Sequence, residues 1–203
     1  MMNIQKILLL LFFVLLLSNT VKAEDKAIIV LFGNKNILNF EKSLKKIGIY
    51  QVETRNCTDF LFCNIEKRIP KDTKNIIFVL NRSNLQSDFP FSPLSFQWKR
   101  RISQRIWRTD TFARKLGIRL LVIGPISSPN VRIQERVRQE NQWIRTVCAA
   151  KKIPYIELFH DFTDKFKDWS GFTQGKRVRE KDGESLTQAG TDIVTQKIFR
   201  YLH

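Results

Sequence analysis

The sequence predicts an α/β domain of three layers, αβα, with about five parallel strands sandwiched between helices. Two observations carry that expectation. Short, wholly apolar runs rich in β-branched residues alternate with longer segments whose apolar residues recur at helical spacing. Runs without polar alternation suit strands buried on both faces, and their alternation with helices implies right-handed crossovers and a parallel sheet. No repeat, low-complexity tract or linker interrupts residues 24–203, so one domain is expected there.

Taken in order, Ala27 to Phe32 reads as the first strand, and Asn36 to Ile47 has helical spacing. Ile49 to Val52 reads as a second strand and Asn75 to Leu80 as a third. A fourth is expected over Ile118 to Ile123 and a short fifth over Pro154 to Leu158. Long helices are expected over residues 95–116 and 130–151, and a last one from about Thr187 to Leu202.

The segment ahead of the first strand is of a different kind. Lys6 precedes eleven unbroken apolar residues, Ile7 to Leu17, and a polar stretch ends in Val21-Lys22-Ala23. Eleven residues make a helix of roughly 16 Å, about half a bilayer core. Residues 1–23 are therefore expected to be a cleavable signal peptide, with residues 24–203 secreted or periplasmic. No later stretch is apolar enough to span a membrane.

Cleavage would remove Lys6 and Lys22 and no acid, taking the formal charge from +16 to +14. Such a charge favours polyanions: nucleic acid, anionic lipid or acidic envelope polymers. In the helix at 95–116, Trp98, Ile102, Ile106, Thr109, Ala113 and Leu116 fall within about 80° of arc. Arg100, Arg101, Arg105, Arg108, Arg114 and Lys115 occupy the other side as candidate anion-binding residues. They read either as a polyanion-binding stripe or as a solvated outer face. No aromatic residue interleaves with them on the exposed arc, so nucleic acid is not the indicated partner.

Three cysteines are present; Cys57 and Cys63 could close a small loop, and Cys148 reads as a buried apolar residue. The two histidines, His160 and His203, lack zinc spacing to a cysteine, so no metal is expected. Neither GxGxxG nor a P-loop is present, so no nucleotide or other cofactor is expected.

Ligands in open α/β sheets meet the carboxyl ends of the strands. The segments to inspect there are Gly33-Asn34-Lys35-Asn36, Asn56-Cys57-Thr58, Asn81-Arg82-Ser83-Asn84 and Asp182-Gly183-Glu184-Ser185-Leu186-Thr187. Asp182-Gly183 is also a turn signal, and Thr187 a helix N-cap.

With Trp98 ahead of a long helix, the strand Leu120 to Ile123 followed by Gly124-Pro125, and Asn141 on the next helix, the layout resembles the SGNH (GDSL-type) hydrolases. More narrowly it resembles an exported bacterial branch of them. The most specific match is the close, Val178-Arg179-Glu180-Lys181-Asp182-Gly183, then Leu186-Thr187 and Gly190, which is similar to an Asp-Gly-x-His-Leu-Thr-x-x-Gly block. The resemblance implies a flavodoxin-like layout with strand order 2-1-3-4-5.

It also implies where a catalytic site would stand, and the residues there depart from the pattern. The nucleophile of Gly-Asp-Ser falls at Lys35 in Gly33-Asn34-Lys35. No oxyanion-hole glycine stands between Ile49 and Leu80, and the asparagine after the third strand falls at Ser83, or at Asn84 with a one-residue slip. The catalytic histidine falls at Ser185, so only Asp182 of the triad is kept. A serine needs a base, and the aspartate works by orienting that base. The expectation is a catalytically inactive relative that binds an anionic envelope polymer or a host molecule. The alternatives are an esterase or acyl hydrolase acting on envelope glycans through a non-standard residue set, and a purely structural envelope component. His160, after the fifth strand, is a candidate substitute base at the pocket mouth.

Overall fold

The computed structural model describes residues 28–33, 37–46, 52–56, 69–70, 72–80, 92–163, 170–183 and 185–202. The first 27 residues, with the expected signal peptide, lie outside them, as do Lys35, Cys57, Cys63, Ser83 and His203.

The elements run β1 (Ile28–Gly33), α1 (Ile37–Lys46), β2 (Val52–Asn56), β3 (Thr73–Val79), α2 (Phe96–Lys115), β4 (Arg119–Ile123), α3 (Val131–Ala149) and β5 (Tyr155–Ile156). A 3-10 turn (His160–Phe162), a hairpin of β6 (Phe172–Thr173) and β7 (Lys176–Arg177), and α4 (Gln188–Leu202) complete the chain. The first five strands form one sheet in the order β2-β1-β3-β4-β5, every neighbouring pair parallel. This is the expected order.

Alternation along the central strands divides the core in two. Ile76, Phe78, Leu120 and Val122 meet Trp98, Ile102 and Ile106 of α2 and Ile144 and Val147 of α3. Ile77, Leu121 and Ile123 point the opposite way, onto Phe40 and Leu44 of α1 and Val194 and Ile198 of α4. Each fully buried side chain of this size contributes about 1.5–3 kcal/mol. Both faces of β3 and β4 are therefore covered, which is why their sequences carry no polar alternation.

The helix ends follow their local chemistry. Ser95 Oγ accepts from the Trp98 amide at 3.2 Å and starts α2. Asn130 Oδ1 accepts from the Arg132 amide at 3.1 Å and starts α3. Thr187 Oγ1 accepts from the Gly190 amide at 3.3 Å, the N-cap expected for α4.

Two expectations are corrected. The second strand was expected to end at Val52, but in the described residues it runs Val52–Asn56. It is an edge strand, so it needs no apolar run to mark it. Leu116 was placed on the buried arc of α2 but is 55% exposed. The helix ends at Lys115, and Gly117 follows at φ 68°, so the helical period no longer sets where Leu116 points.

Candidate functional site

At the carboxyl end of the sheet, Gly33 of β1 pairs with Asn56 of β2, and Phe32 pairs with Phe78 of β3. The segments that would carry Lys35 and Ser83 leave from these two neighbouring strands. The closing block adds a third segment, described at Glu180 to Gly183 and Ser185 to Thr187.

That loop is a tight turn. The Gly183 amide donates to Glu180 O at 3.0 Å, the Glu180 amide to Ser185 O at 2.9 Å, and Arg179 bridges Leu186 across it. Gly183 sits at φ 71°, a left-handed conformation that glycine adopts without strain. Inside the turn, Asp182 Oδ1 accepts from the Ser185 amide at 2.8 Å and Oδ2 from the Ser185 hydroxyl at 2.5 Å. The structure thus brings Asp182 and Ser185 together. Both carboxylate oxygens serve the turn, and one takes a hydroxyl from the position where the resemblance placed an imidazole.

The other residues of the resemblance are framework. Asn141 is buried on α3, donates to Pro125 O at 2.9 Å and Val137 O at 3.0 Å, and accepts from Tyr155 Oη at 2.5 Å. Burial holds the Tyr155 phenol well above its ordinary pKa, so it stays a donor. Gly124 lies beneath this pair: a Cβ there would stand 2.0 Å from Tyr155 Oη. A Cβ at Gly190 would stand 2.3 Å from Val178 O, so α4 can begin against Val178 only with glycine there. Arg179 is 1% exposed, donates to Ser127 O at 2.9 Å and Ser127 Oγ at 3.0 Å, and lies over the Phe162 ring. It fastens the closing block to the loop after β4.

His160 pairs with Glu157, Nε2 to Oε1 at 3.3 Å, and Glu157 also pairs with Arg145 of α3. These three side chains line a groove of about 690 Å³ between α3 and the chain after β5. The imidazole thus joins a carboxylate on the α3 side, with no hydroxyl among the contacts seen for its ring.

The basic residues of α2 separate into distinct environments. Arg114 Nε contacts both oxygens of Asp110 at 2.9 and 2.8 Å, and its Nη2 donates to Lys151 O at 3.0 Å. Arg101 and Arg105 are half-buried, whereas Arg100, Arg108 and Lys115 are exposed. Contrary to expectation, aromatics do interleave with these residues: Trp107 and Phe112, both half-buried, line one groove with Arg108 and Lys115, and the Trp107 indole donates to Val147 O at 3.2 Å with Lys151 over its ring. The Asp110–Arg114 spacing was visible in the sequence as an i, i+4 pair. The Glu157–Arg145–His160 cluster was not, because it joins a helix to a loop across the edge of the sheet.

Cys148 is free and buried, as expected; burial, with Asp110 second, pushes its thiol up to about 12. Among the described residues, no helix is long and apolar enough to cross a membrane.

Solved structures with this layout include G-D-S-L lipolytic proteins and acetylxylan esterases. A G-D-S-L family protein from Desulfitobacterium hafniense superposes with a TM-score of 0.66 at 12% identity, covering 86% of this chain and 99% of that one. A GDSL-like lipase from Bacteroides thetaiotaomicron gives 0.66 at 13% identity, covering 89% and 88%. An acetylxylan esterase from Geobacillus stearothermophilus, in a catalytic-mutant form, gives 0.62 at 9% identity, covering 86% and 93%. No curated protein matches the chain in sequence. The family described as "Protein of unknown function (DUF459)", an SGNH-like family, matches residues 72–201, which include β3, both long helices, Asn141 and the Asp182 turn. The chain belongs to that family and has the SGNH (GDSL-type) hydrolase fold.

Proposed function

We propose that the protein is an exported, non-hydrolytic member of the SGNH fold that binds an anionic partner at the cell envelope or outside the cell. The observation that carries the reading is the bond from the Ser185 hydroxyl to Asp182 Oδ2 at 2.5 Å. In a serine hydrolase that carboxylate holds an imidazole in the right tautomer and stabilises its charged form. A serine side chain cannot take a proton from a nucleophile at neutral pH, so Ser185 cannot serve as the base that this carboxylate would orient. The sequence adds Lys35 where a nucleophilic serine would stand and Ser83 where an oxyanion donor would stand. Losing one such donor alone costs about 100- to 1000-fold.

Export is read from the apolar core Ile7 to Leu17 and the small residue Ala23. The anionic partner is read from the formal charge of +14 left after removal of Lys6 and Lys22 and from the exposed Arg100, Arg108 and Lys115 on the outer face of α2. An acidic envelope polymer is the class of partner that this charge and this destination share.

Two measurements on purified protein test the reading. Acetyl and short acyl esters should be hydrolysed no faster than in buffer, and Asp182→Ala and Lys35→Ala should change nothing. Retention on an acidic polysaccharide matrix should weaken steeply as salt rises. Turnover lost in Asp182→Ala, or retention indifferent to salt, would sink the corresponding half of the proposal.

A further inference from the structure

The outer side of α2 carries positive charge that no acid among the described residues offsets. Asp110 is the one acid of this helix, and Arg114 Nε takes both of its oxygens, at 2.9 and 2.8 Å. Arg100, Arg108 and Lys115 are exposed, and among the described residues no carboxylate pairs with any of them. At helical spacing, Arg100, Gln104, Arg108, Thr111 and Lys115 fall within about 80° of arc, with Trp107 on one flank and Phe112 on the other. From Gln104 to Lys115 this row and its two rings line a groove of about 540 Å³, and Arg100 extends the row one turn further.

The lining is not that of a plain solvated face. Both rings are half-buried; Trp107 is tied to α3 through its indole, with Lys151 Nζ 5.5 Å from its ring centroid, and Lys151 too is exposed and has no carboxylate partner among the described residues. Phe112 belongs to neither core cluster. Gln104 and Thr111 are exposed, and their side chains have no hydrogen bond among the described residues. Arg108 and Lys115 stand two turns apart, roughly 10 Å along the axis. A ligand that meets both must be elongated, with charges set at intervals. One that also covers Trp107 and Phe112 must carry apolar surface between those charges. An inorganic polyanion has none. A nucleobase stacks on a whole free ring face, which half-buried rings do not offer. A sugar ring supplies a small apolar face of C–H groups and hydroxyls around its rim.

We propose that the α2 groove binds an acidic saccharide chain lengthwise, its carboxylates on Arg108 and Lys115, its C–H faces against Trp107 and Phe112, and its hydroxyls on Gln104 and Thr111. The planar guanidinium takes a carboxylate through two parallel bonds, and the ammonium takes one as a point charge. The inference rests on the reading of an acidic polymer on this face, and adds that the polymer is a saccharide held by its rings as well as by its charge. It is independent of the Asp182 turn.

Calorimetric titration of the purified protein with hexagalacturonate, neutral xylohexaose, linear polyphosphate and a short oligothymidylate tests it. Hexagalacturonate should bind saturably, more weakly as salt rises, and xylohexaose about tenfold or more below it, since two exposed charge pairs together are worth about that factor. The double variant Arg108→Ala, Lys115→Ala should weaken hexagalacturonate about tenfold and polyphosphate as well. Trp107 is packed on the core, so the ring contact is read on Phe112. Phe112→Ala should weaken hexagalacturonate severalfold and leave polyphosphate unchanged. If Phe112→Ala melts early, Phe112→Leu, which keeps bulk and loses the flat ring, takes its place with the same expectation. A folded Phe112 variant that binds both anions like wild type overturns the proposal, as does xylohexaose binding as tightly as hexagalacturonate. Oligothymidylate binding more tightly than hexagalacturonate would overturn it in favour of nucleic acid. Salt-sensitive binding of polyphosphate without hexagalacturonate would end the saccharide assignment and leave the anionic partner standing, whereas binding of neither anion would end both.

Discussion

Tyr155 on β5 donates its phenolic proton to Asn141 Oδ1 on α3 at 2.5 Å, and the pair closes directly over Gly124 at the end of β4. Three elements are thereby locked at the carboxyl end of the sheet. Any Cβ at Gly124 must displace both side chains, which stand 2.0 and 2.3 Å from its ideal position. Gly124→Ala should therefore destabilise the protein by about 1–3 kcal/mol or more. Asn141→Ala should cost a similar amount by leaving the Tyr155 hydroxyl without its acceptor. Urea denaturation measures both, and a loss below about 0.5 kcal/mol in either would contradict the account.

Arg179 should behave as a structural residue. Its guanidinium is enclosed against Ser127 and Phe162. Arg179→Ala leaves a large void and the Ser127 carbonyl without this donor, a loss of about 3 kcal/mol. Arg179→Lys should recover only part of it, because an ammonium cannot reproduce the flat contact with the ring. Melting curves of the two variants check the order.

Cys148 gives the protein an alkaline weakness. Its folded value of about 12 lies above the ordinary 9.0, so the folded form holds the proton where the unfolded chain releases it. The stabilisation is fully present below about pH 9 and is lost as pH rises towards about 12, by at most about 1.4 kcal/mol per pH unit. Cys148→Ala should flatten that slope. At pH 8 the thiol should react with a disulfide reagent only as fast as the protein unfolds. Rapid labelling in native buffer would show that the site is open.

Asp182 should matter to the turn alone. Asp182→Ala removes the acceptor for the Ser185 amide and hydroxyl and should cost about 1 kcal/mol. Ser185→Ala removes only the hydroxyl bond and should cost less. Equal melting temperatures for Asp182→Ala and wild type would show that these contacts are not formed in solution.

The central strands were legible because burial on both faces writes itself into the sequence as unbroken apolar runs: β3 and β4 appear within two residues of where Asn75 to Leu80 and Ile118 to Ile123 placed them. The helices were legible through period and caps, Ser95, Asn130 and Thr187 among them. The short fifth strand was legible too, since Tyr155–Ile156 lies within Pro154 to Leu158, whereas the two-residue strands β6 and β7 are mostly exposed and leave no pattern. The β6–β7 turn, with Gln174 and Gly175 both at positive φ, carries only a glycine as its signal. At the site, the missing imidazole could be read from Ser185 directly. The buried position of Arg179 and the bridge from Glu157 to Arg145 and His160 could not, since both depend on residues far apart in the chain meeting at the rim of the sheet.

The most direct measurement is active-site labelling: purified protein is incubated with a fluorophosphonate and the intact mass and modified peptides are read by mass spectrometry. With both carboxylate oxygens of Asp182 bonded to Ser185, where an imidazole would stand, the mass should remain that of unmodified protein. A stoichiometric adduct on Ser83, Ser185 or Lys35, abolished by Asp182→Ala, would mean that an armed nucleophile exists and that the scaffold still hydrolyses.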